Sequence, residues 1–422
     1  MTRAESLSAV AQARQALPAG LAVDPALPLG MLRRDAGPAD LASLLGSRPE
    51  DHILPTYSGT GALFQALVRL GVGAGDGVLL PAYNCGHEVE AVLRAGAEPV
   101  FYSVDRRFGI DTDAIRRRLT GLEGRPPRAL VVTHFLGVQQ PLQALYAQCR
   151  SSGTLLIEDC AQALFSAGPD GPVGGVGDIA VFSLRKTLPI PVGGVAVFRR
   201  HLLDRPPEPL PPPPWLTRTG ALGYRVQKAL WQRRPGVGGR VRRYAAALLA
   251  LVREAGQELG RGVTWLGWPQ HDPEDEGYDF PAAMLRWGMD ATSLRLLGAF
   301  NPAAIAAQRR RNFLALTQRL MRGGLSVPTP SLDGKTVPLY CVVAVADRTG
   351  VLKALHARGV PALDWWSAFH PAVPWGRFAQ AVRLKHSLVA LPVHQDLTTG
   401  HVEAMADALV AASDERYVAP FP

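Results

Sequence analysis

The stretch Leu155-Leu-Ile-Glu-Asp-Cys-Ala-Gln-Ala-Leu164, followed by Asp178-Ile-Ala-Val-Phe-Ser-Leu-Arg-Lys186, organises this chain. Its first half is an apolar run that ends in Glu158 and Asp159, which indicates a buried strand with a carboxylate at its carboxyl end. Its second half is a short apolar strand that ends near Lys186. Because ligands of open α/β sheets bind at the carboxyl ends of strands, this stretch predicts a ligand site.

A carboxylate and a lysine at two strand ends suit pyridoxal phosphate (PLP). The carboxylate would pair with the pyridinium nitrogen, and the lysine would bond to the aldehyde. Of the 45 basic residues only five are lysines, at positions 186, 228, 335, 353 and 385. Arginine stays protonated and cannot form such a bond, so Lys186 stands out. The alternative, two buried strands beside a surface lysine, stays open on these residues alone.

Composition points to a reduced, cytoplasmic enzyme with a large core. Hydrophobic residues make up 47% of the 422 residues, and no apolar run reaches the roughly 20 residues of a membrane span. The N-terminal MTRAESLSAVAQARQAL is amphipathic and lacks a signal-peptide core. The four cysteines are scattered without metal-ligand spacing, so no metal site is predicted.

Four segments follow along the chain. We expect an N-terminal helical arm over 1–50, a PLP-binding large domain over 51–202, a basic Pro/Arg-rich insertion over 203–263, and a helical connection with a small C-terminal α/β domain over 264–422. In the large domain strands alternate with helices, which predicts a mainly parallel sheet flanked by helices. One helix is expected over Phe280–Leu297.

The positive charge is concentrated in one segment. Residues 199–261 hold 13 basic and 4 acidic residues, which accounts for the whole net charge of +9. Nucleic-acid binding by the whole protein is therefore not predicted. The segment is interpreted as an insertion or mobile lid. Peripheral contact with an anionic membrane and a solvated helical hairpin both stay open.

A candidate phosphate site precedes the first helix of the large domain. Ser58, Gly59 and Thr60 lead into an apolar-periodic helix, whose free N–H groups suit a phosphate. The alternative is an ordinary N-cap. Two further loops at strand ends carry candidate site residues, Pro81–His87 and Thr133–His134.

In this order the motifs resemble the DegT-like (DegT/DnrJ/EryC/StrS) sugar aminotransferases, which are fold-type-I PLP-dependent enzymes. The similar stretches include Ser58-Gly-Thr-Gly-Ala-Leu, Gly73-Ala-Gly-Asp-Gly-Val-Leu-Leu-Pro-Ala-Tyr, Ala91-Val-Leu-Arg-Ala-Gly-Ala-Glu-Pro-Val-Phe, Ile157-Glu-Asp-Cys-Ala-Gln-Ala, Val176-Gly-Asp-Ile-Ala-Val-Phe-Ser, Gly277-Tyr-Asp-Phe and Leu391-Pro-Val-His. The resemblance is good over roughly 53–200 and thinner over 277–412.

The resemblance implies a role for each matching residue. Lys186 corresponds to the cofactor lysine, Asp159 to the pyridinium partner and Gln162 to the contact near the phenolic oxygen. The implied phosphate cradle consists of Ser58, Gly59, Thr60 and Ser183. The family resemblance also implies a homodimer with shared active sites. The resemblance implies a reaction that moves an amino group from a donor such as glutamate to a nucleotide-linked keto sugar, for polysaccharide, glycolipid or secondary-metabolite synthesis.

Several residues depart from the family pattern. Cys85 stands where a large aromatic usually stacks on the cofactor ring, so Tyr83 or His87 would take that role. Asp279 stands where asparagine is common, and Lys186 follows Ser183 two residues earlier than usual. Two alternatives stay open: a PLP-dependent sugar dehydratase, against which the retained lysine argues, and a non-catalytic scaffold or regulator.

Overall fold

A seven-stranded sheet forms the centre of the protein. The computed structural model describes residues 21–33, 37, 39–122, 124–232, 281–329 and 331–414. The strands are β1 His52–Thr56, β2 Gly77–Pro81, β3 Glu98–Tyr102, β4 Ala129–Thr133, β5 Leu155–Asp159, β6 Ala167–Gly168, β7 Gly171–Pro172, β8 Ile179–Ser183, β9 Gly194–Phe198, β10 Tyr340–Ala344, β11 Leu363–Asp364 and β12 Leu388–Pro392. The large sheet has the order β1-β9-β8-β5-β4-β2-β3, and the mainly parallel sheet predicted from the sequence is confirmed.

Helices flank the sheet and connect its parallel strands. They are α1 Leu41–Leu45, α2 Gly59–Arg69, α3 His87–Arg94, α4 Thr112–Leu119, α5 Gln143–Ser152, α6 Trp215–Gln232, α7 Ala291–Leu297, α8 Pro302–Arg322, α9 Arg348–Ala357, α10 Ala379–Ser387 and α11 Thr399–Asp414. Every residue of β4 and of β8 is buried, as expected when helices cover both faces of a sheet. No helix among these is long and apolar enough to span a membrane.

The parallel strands place their carboxyl ends along one edge. Strands β3, β2, β4, β5 and β8 all run parallel to their neighbours in that series. Strand β9 reverses direction, and β1 pairs antiparallel with β9. The carboxyl end of β1 therefore lies at the same edge as those of the parallel strands, which is the edge where α/β proteins bind ligands.

A smaller sheet with the order β10-β12-β11 forms the centre of the C-terminal unit. Helices α8, α9 and α11 cover it, and their apolar residues build a separate core with β10 and β12. Local signals set the boundaries of the long helix α8. Asn301 accepts a hydrogen bond from the Ala304 N–H at 3.1 Å, and Pro302 occupies the first turn, where proline is tolerated.

Three local expectations differ from the structure. The helix expected over Phe280–Leu297 is two elements, a 3₁₀ turn at Ala282–Arg286 and helix α7. They separate because Asp290 is extended and caps α7 through the N–H groups of Thr292 and Ser293. Strand β1 was not predicted, since it carries a proline that only an edge strand tolerates. Helix α10 was also missed.

Candidate active site

Four loops meet at the carboxyl edge of the large sheet. They follow β1, β2, β5 and β8, and they carry Ser58–Thr60, Ala82–His87, Asp159–Gln162 and Ser183–Lys186. The side chain of Thr133, at the end of β4, donates to Asp159 Oδ2 at 3.2 Å. The structure thus brings the sequence-predicted residues of separate strands to one edge of the sheet.

Asp159 is a buried carboxylate with few partners. It is 4% exposed, and among the described residues it accepts one side-chain hydrogen bond besides that of Thr133, from the Ala161 N–H to Oδ1 at 2.9 Å. Burial, with repulsion from Glu88, raises its pKa to about 6, although the positive charge of Lys186 acts in the opposite direction. A carboxylate in this setting would be stabilised by a cation placed against it.

Three polar groups around Asp159 have hydrogen-bonding capacity to spare. Within the described part of the chain, Lys186 Nζ, Ser183 Oγ and the amide nitrogen of Gln162 make no hydrogen bond to protein atoms. Gln162 is held by its other atom, because Oε1 accepts from the Leu136 N–H at 3.0 Å. Gln162 and Ser183 are both buried, so these groups suit a polar ligand.

Helix α2 points its amino end into the same site. Ser58 caps the helix by accepting from the Gly61 N–H at 3.1 Å, so the N-cap role anticipated as an alternative is present. The N–H groups of Gly59 and Thr60 precede the first intrahelical bond and suit an anion. A Cβ at Gly59 would lie 3.0 Å from the Ser183 Cβ, so glycine lets the helix approach the end of β8 closely.

The loop after β2 contains the three residues considered for the face of a cofactor ring. Tyr83 is fully buried, its hydroxyl donates to the Trp365 carbonyl, and its ring packs against Phe108 and Phe135. Tyr83 therefore belongs to an aromatic cluster. Cys85 and His87 are half-buried.

The thiol of Cys85 donates to Glu88 Oε2 at 3.0 Å, and burial raises the pKa of this thiol well above its usual range. Glu88 was not singled out from the sequence. Its charge nevertheless acts on both Cys85 and Asp159, so it belongs to the same electrostatic neighbourhood.

The second candidate loop contributes His134 to the interior. His134 is fully buried, its Nε2 lies 3.0 Å from Glu158 Oε2, and its Nδ1 accepts from the Gln140 N–H. Glu158 also accepts from three backbone N–H groups, those of Gly174, Val176 and Gly177. With Cys160 these side chains form a compact buried cluster whose His134 and Glu158 atoms are already hydrogen-bonded.

A buried arginine from α8 holds the segment next to Lys186. Arg309 is 1% exposed and donates to the carbonyl of Thr187 at 3.3 Å, to Gln395 Oε1, and to the carbonyls of Pro338 and Leu339. Gln395 also donates to the Thr187 carbonyl, at 3.3 Å. These hydrogen bonds were not predicted, because nothing in the sequence distinguishes Arg309 from its neighbours Arg310 and Arg311.

Two predicted features lie outside the described residues. These are the Gly277–Phe280 stretch, with Asp279, and the arginines of 233–243. Of the basic segment, the described portion contains helix α6. Its Arg225 donates to the Ile190 carbonyl at 3.0 Å, which attaches α6 to the chain just after Lys186.

Fold and site together define an α/β protein with a buried carboxylate, a lysine and a helix amino end at the carboxyl edge of its sheet. A model of the DegT/DnrJ/EryC1/StrS aminotransferase family matches residues 39–251, about half of the chain. The chain belongs to the DegT/DnrJ/EryC1/StrS aminotransferase family, which confirms the resemblance drawn from the motifs.

Characterised relatives match over part of their length. An L-glutamine:2-deoxy-scyllo-inosose aminotransferase of Streptoalloteichus tenebrarius is 35% identical over 157 residues, which are 36% of this chain and 36% of that protein. A UDP-N-acetyl-3-dehydro-alpha-D-glucosamine 3-aminotransferase of Acidithiobacillus ferrooxidans is 37% identical over 148 residues, 34% of this chain and 38% of that protein. The chain therefore spans little more than a third of the length of these relatives.

Solved structures share the fold over nearly the whole chain. The aminotransferase TlmJ of Streptoalloteichus hindustanus superposes with a TM-score of 0.61 at 20% identity, covering 94% of this chain and 99% of that one. Spr1654 of Streptococcus pneumoniae, solved in PLP and PMP forms, has a TM-score of 0.58 for the PLP form at 14% identity, covering 98% of this chain and 97% of that one. The fold predicted from the sequence is thus confirmed.

Proposed function

We propose that this protein is a PLP-dependent aminotransferase that moves an amino group from an amino acid, glutamate or a similar donor, to a keto sugar. The observation that carries the proposal is the convergence of Asp159, Lys186 and the amino end of α2 at one edge of the sheet. The family supports the reaction class. A nucleotide-linked or cyclitol ketone is the acceptor class suggested by the names of the two relatives.

The residues present fit this cofactor. Asp159, a buried carboxylate of raised pKa, would hold the proton on the ring nitrogen, and Lys186 would carry the covalent link. Ser183 Oγ and the N–H groups of Gly59 and Thr60 would bind the phosphate. Gln162 would donate its free amide N–H to the phenolic oxygen. Cys85 and His87 lie on the loop that would face the ring.

When bound, PLP supplies an electron sink for the bonds around the amino carbon. The protein's part is positioning and proton transfer. Asp159 would hold the proton on the ring nitrogen, and Lys186, with its amine free, would act as the general base that takes up and returns the transferred proton. A retained lysine supports transamination over dehydration, and the set of matching residues supports an active enzyme over a scaffold.

Trapping the lysine tests this proposal directly. Borohydride treatment of the PLP-loaded protein, followed by peptide mapping, should place the pyridoxyl group on Lys186. Lys186→Ala should lose both the label and the visible absorption band. Lys353→Ala is the matched control, because Lys353 is exposed on α9, and it should keep both. A label on Lys353, or a band that persists in Lys186→Ala, would refute the assignment.

The assembly is part of the proposal. We infer a cytoplasmic homodimer whose subunits share their active sites, supported by the family match and by the Gly277–Phe280 motif in the sequence. Light scattering and activity measured at the same protein concentration test it. Full activity in a solution that contains only monomers would contradict it.

A further inference from the structure

Lys385 is the most deeply buried lysine described. It lies on α10, its side chain is inaccessible to solvent, and it forms no ion pair among the described residues. Its Nζ donates to the carbonyl of Ala368 at 2.5 Å, of Asn84 at 2.9 Å and of Trp366 at 3.4 Å. An ammonium group has three N–H donors, so three carbonyls match it donor for acceptor.

Aromatic rings complete the enclosure of this ammonium group. Nζ lies 5.1 Å from the centroid of Trp375, 5.5 Å from Phe369 and 5.7 Å from Tyr83. A cation within about 6 Å of a ring face is attracted by the ring quadrupole, and more strongly where water is excluded. Burial lowers the pKa of Lys385 to about 8, so the ammonium form still predominates at neutral pH.

The three carbonyls come from two segments far apart in sequence. Asn84 belongs to the loop after β2, while Trp366 and Ala368 follow β11 in the C-terminal unit. Two other contacts lie beside it: Tyr83 of the same loop donates to the Trp365 carbonyl, and His370 Nε2 lies 3.1 Å from Glu90 Oε1 on the following helix α3. Lys385 differs from these two contacts because its single charged group binds both segments.

Asn84 connects this contact to the candidate active site. Its side chain donates to the carbonyls of Pro81 and Ala82 and accepts from the Gly86 N–H at 2.8 Å, so it shapes the turn. Cys85 follows Asn84 and donates to Glu88 at the start of α3, and the charge of Glu88 raises the pKa of Asp159. Moving the Asn84 carbonyl would therefore move the residues that face the proposed cofactor ring.

The geometry points to Lys385 as a positioning residue: its ammonium group ties the Ala82–Glu88 loop to the Trp365–His370 segment and so fixes the loop that faces the cofactor ring. The loop's relation to a ring rests on the proposed function. The tie itself rests on the three carbonyl contacts and does not depend on the cofactor.

Chemical rescue separates a charged tie from simple packing. Lys385→Ala removes the side chain and leaves three carbonyls and three rings around a space that a small alkylammonium ion would fill. We expect hydrogen exchange at 82–88 and 365–370 to rise at least tenfold in the chain without cofactor. Added n-propylammonium should reverse much of that rise, whereas 1-propanol, which is of similar size but uncharged, should not.

Two more variants complete the experiment. Lys385→Met keeps the volume without the charge, and it should show the same faster exchange and bind PLP at least tenfold more weakly than the parent. Lys353→Ala, exposed on α9 of the same unit, should match the parent in both measurements. If Lys385→Met keeps the parent's exchange rates and PLP affinity, the proposal is wrong.

The remaining outcomes are also decisive. Both Lys385 variants could unfold globally, and propylammonium could fail to refold Lys385→Ala. That result would assign the residue to fold stability alone and overturn the proposal. If the parent chain binds no PLP, the proposed function fails, while hydrogen exchange still decides whether the ammonium ties the two segments.

Discussion

Replacing Asp159 by asparagine should stabilise the cofactor-free protein while it weakens cofactor binding. The pKa of Asp159 rises from its ordinary value near 4 to about 6, chiefly through burial and then through repulsion by Glu88. At about 1.4 kcal/mol per pH unit, ionising this carboxyl in the folded protein costs about 3 kcal/mol more than in the unfolded chain. Asparagine carries no such cost, and its amide can still accept from the Ala161 N–H.

The sign of the pH dependence follows from the proton count. Between about pH 4 and pH 6 the folded protein keeps the Asp159 proton that the unfolded chain has released, so this group lowers stability as pH rises through that window. The cost is absent below about pH 4 and complete above about pH 6. Asp159→Asn should therefore exceed the parent's free energy of unfolding by up to about 3 kcal/mol at pH 7.5, and the difference should vanish near pH 4.

Denaturant unfolding of the two proteins, stripped of cofactor, measures this difference. Because other carboxylates titrate over the same range, the comparison uses the parent-minus-variant difference at each pH, in which their contributions cancel. Glu88→Gln, which removes the repelling charge and keeps Asp159, should show a smaller gain at pH 7.5. If Asp159→Asn is less stable than the parent at both pH values, the lost hydrogen bonds outweigh the charge and the reasoning is wrong.

Two further predictions concern the arginines. Arg309→Met should lower the free energy of unfolding by about 3–5 kcal/mol in denaturant melts, because Gln395 Oε1 and the carbonyls of Pro338 and Leu339 lose their donor, while the Thr187 carbonyl keeps the hydrogen bond from Gln395. The exposed Arg311→Met should change it by less than about 0.5 kcal/mol. Replacing Arg233, Arg234, Arg240, Arg242 and Arg243 by Gln should raise KM for an anionic acceptor, leave kcat nearly unchanged and flatten the salt dependence of kcat/KM, since exposed charges mainly steer encounter. If this variant keeps the parent's KM and salt dependence, the segment is only a solvated face. If it loses vesicle binding while its kinetics stay unchanged, the segment serves a membrane surface.

Local sequence signals were sufficient for most of the large sheet. Apolar runs of strand length alternate with helical patterns from β2 to β9, and the structure places a strand at each run. The edge strand β1 was missed because of its proline, and helix α10 was missed because it shows no strong periodicity of its own.

The positions of candidate site residues could be predicted only where they follow an apolar run of strand length. Asp159, Ser183 and Lys186 follow apolar runs, so their positions could be inferred from the chain itself. Glu88, Arg309 and Lys385 act through contacts between residues distant in sequence, and Lys385 meets the Asn84 carbonyl across 301 positions. A lysine in a helix that is polar at most neighbouring positions gives no indication that it is buried.

Glu158 and Asp159 show why a pair of carboxylates could not be ranked from the sequence. They are consecutive in β5, so strand alternation sends their side chains to opposite faces of the sheet. Glu158 is buried too, but His134 and three backbone N–H groups satisfy it, and together they hold its pKa below the ordinary value despite burial. Asp159 receives two hydrogen bonds and its pKa rises. On one face of the strand, protein groups hydrogen-bond and stabilise the Glu158 carboxylate. On the other face, the Asp159 carboxylate would gain such stabilisation from a cationic ligand.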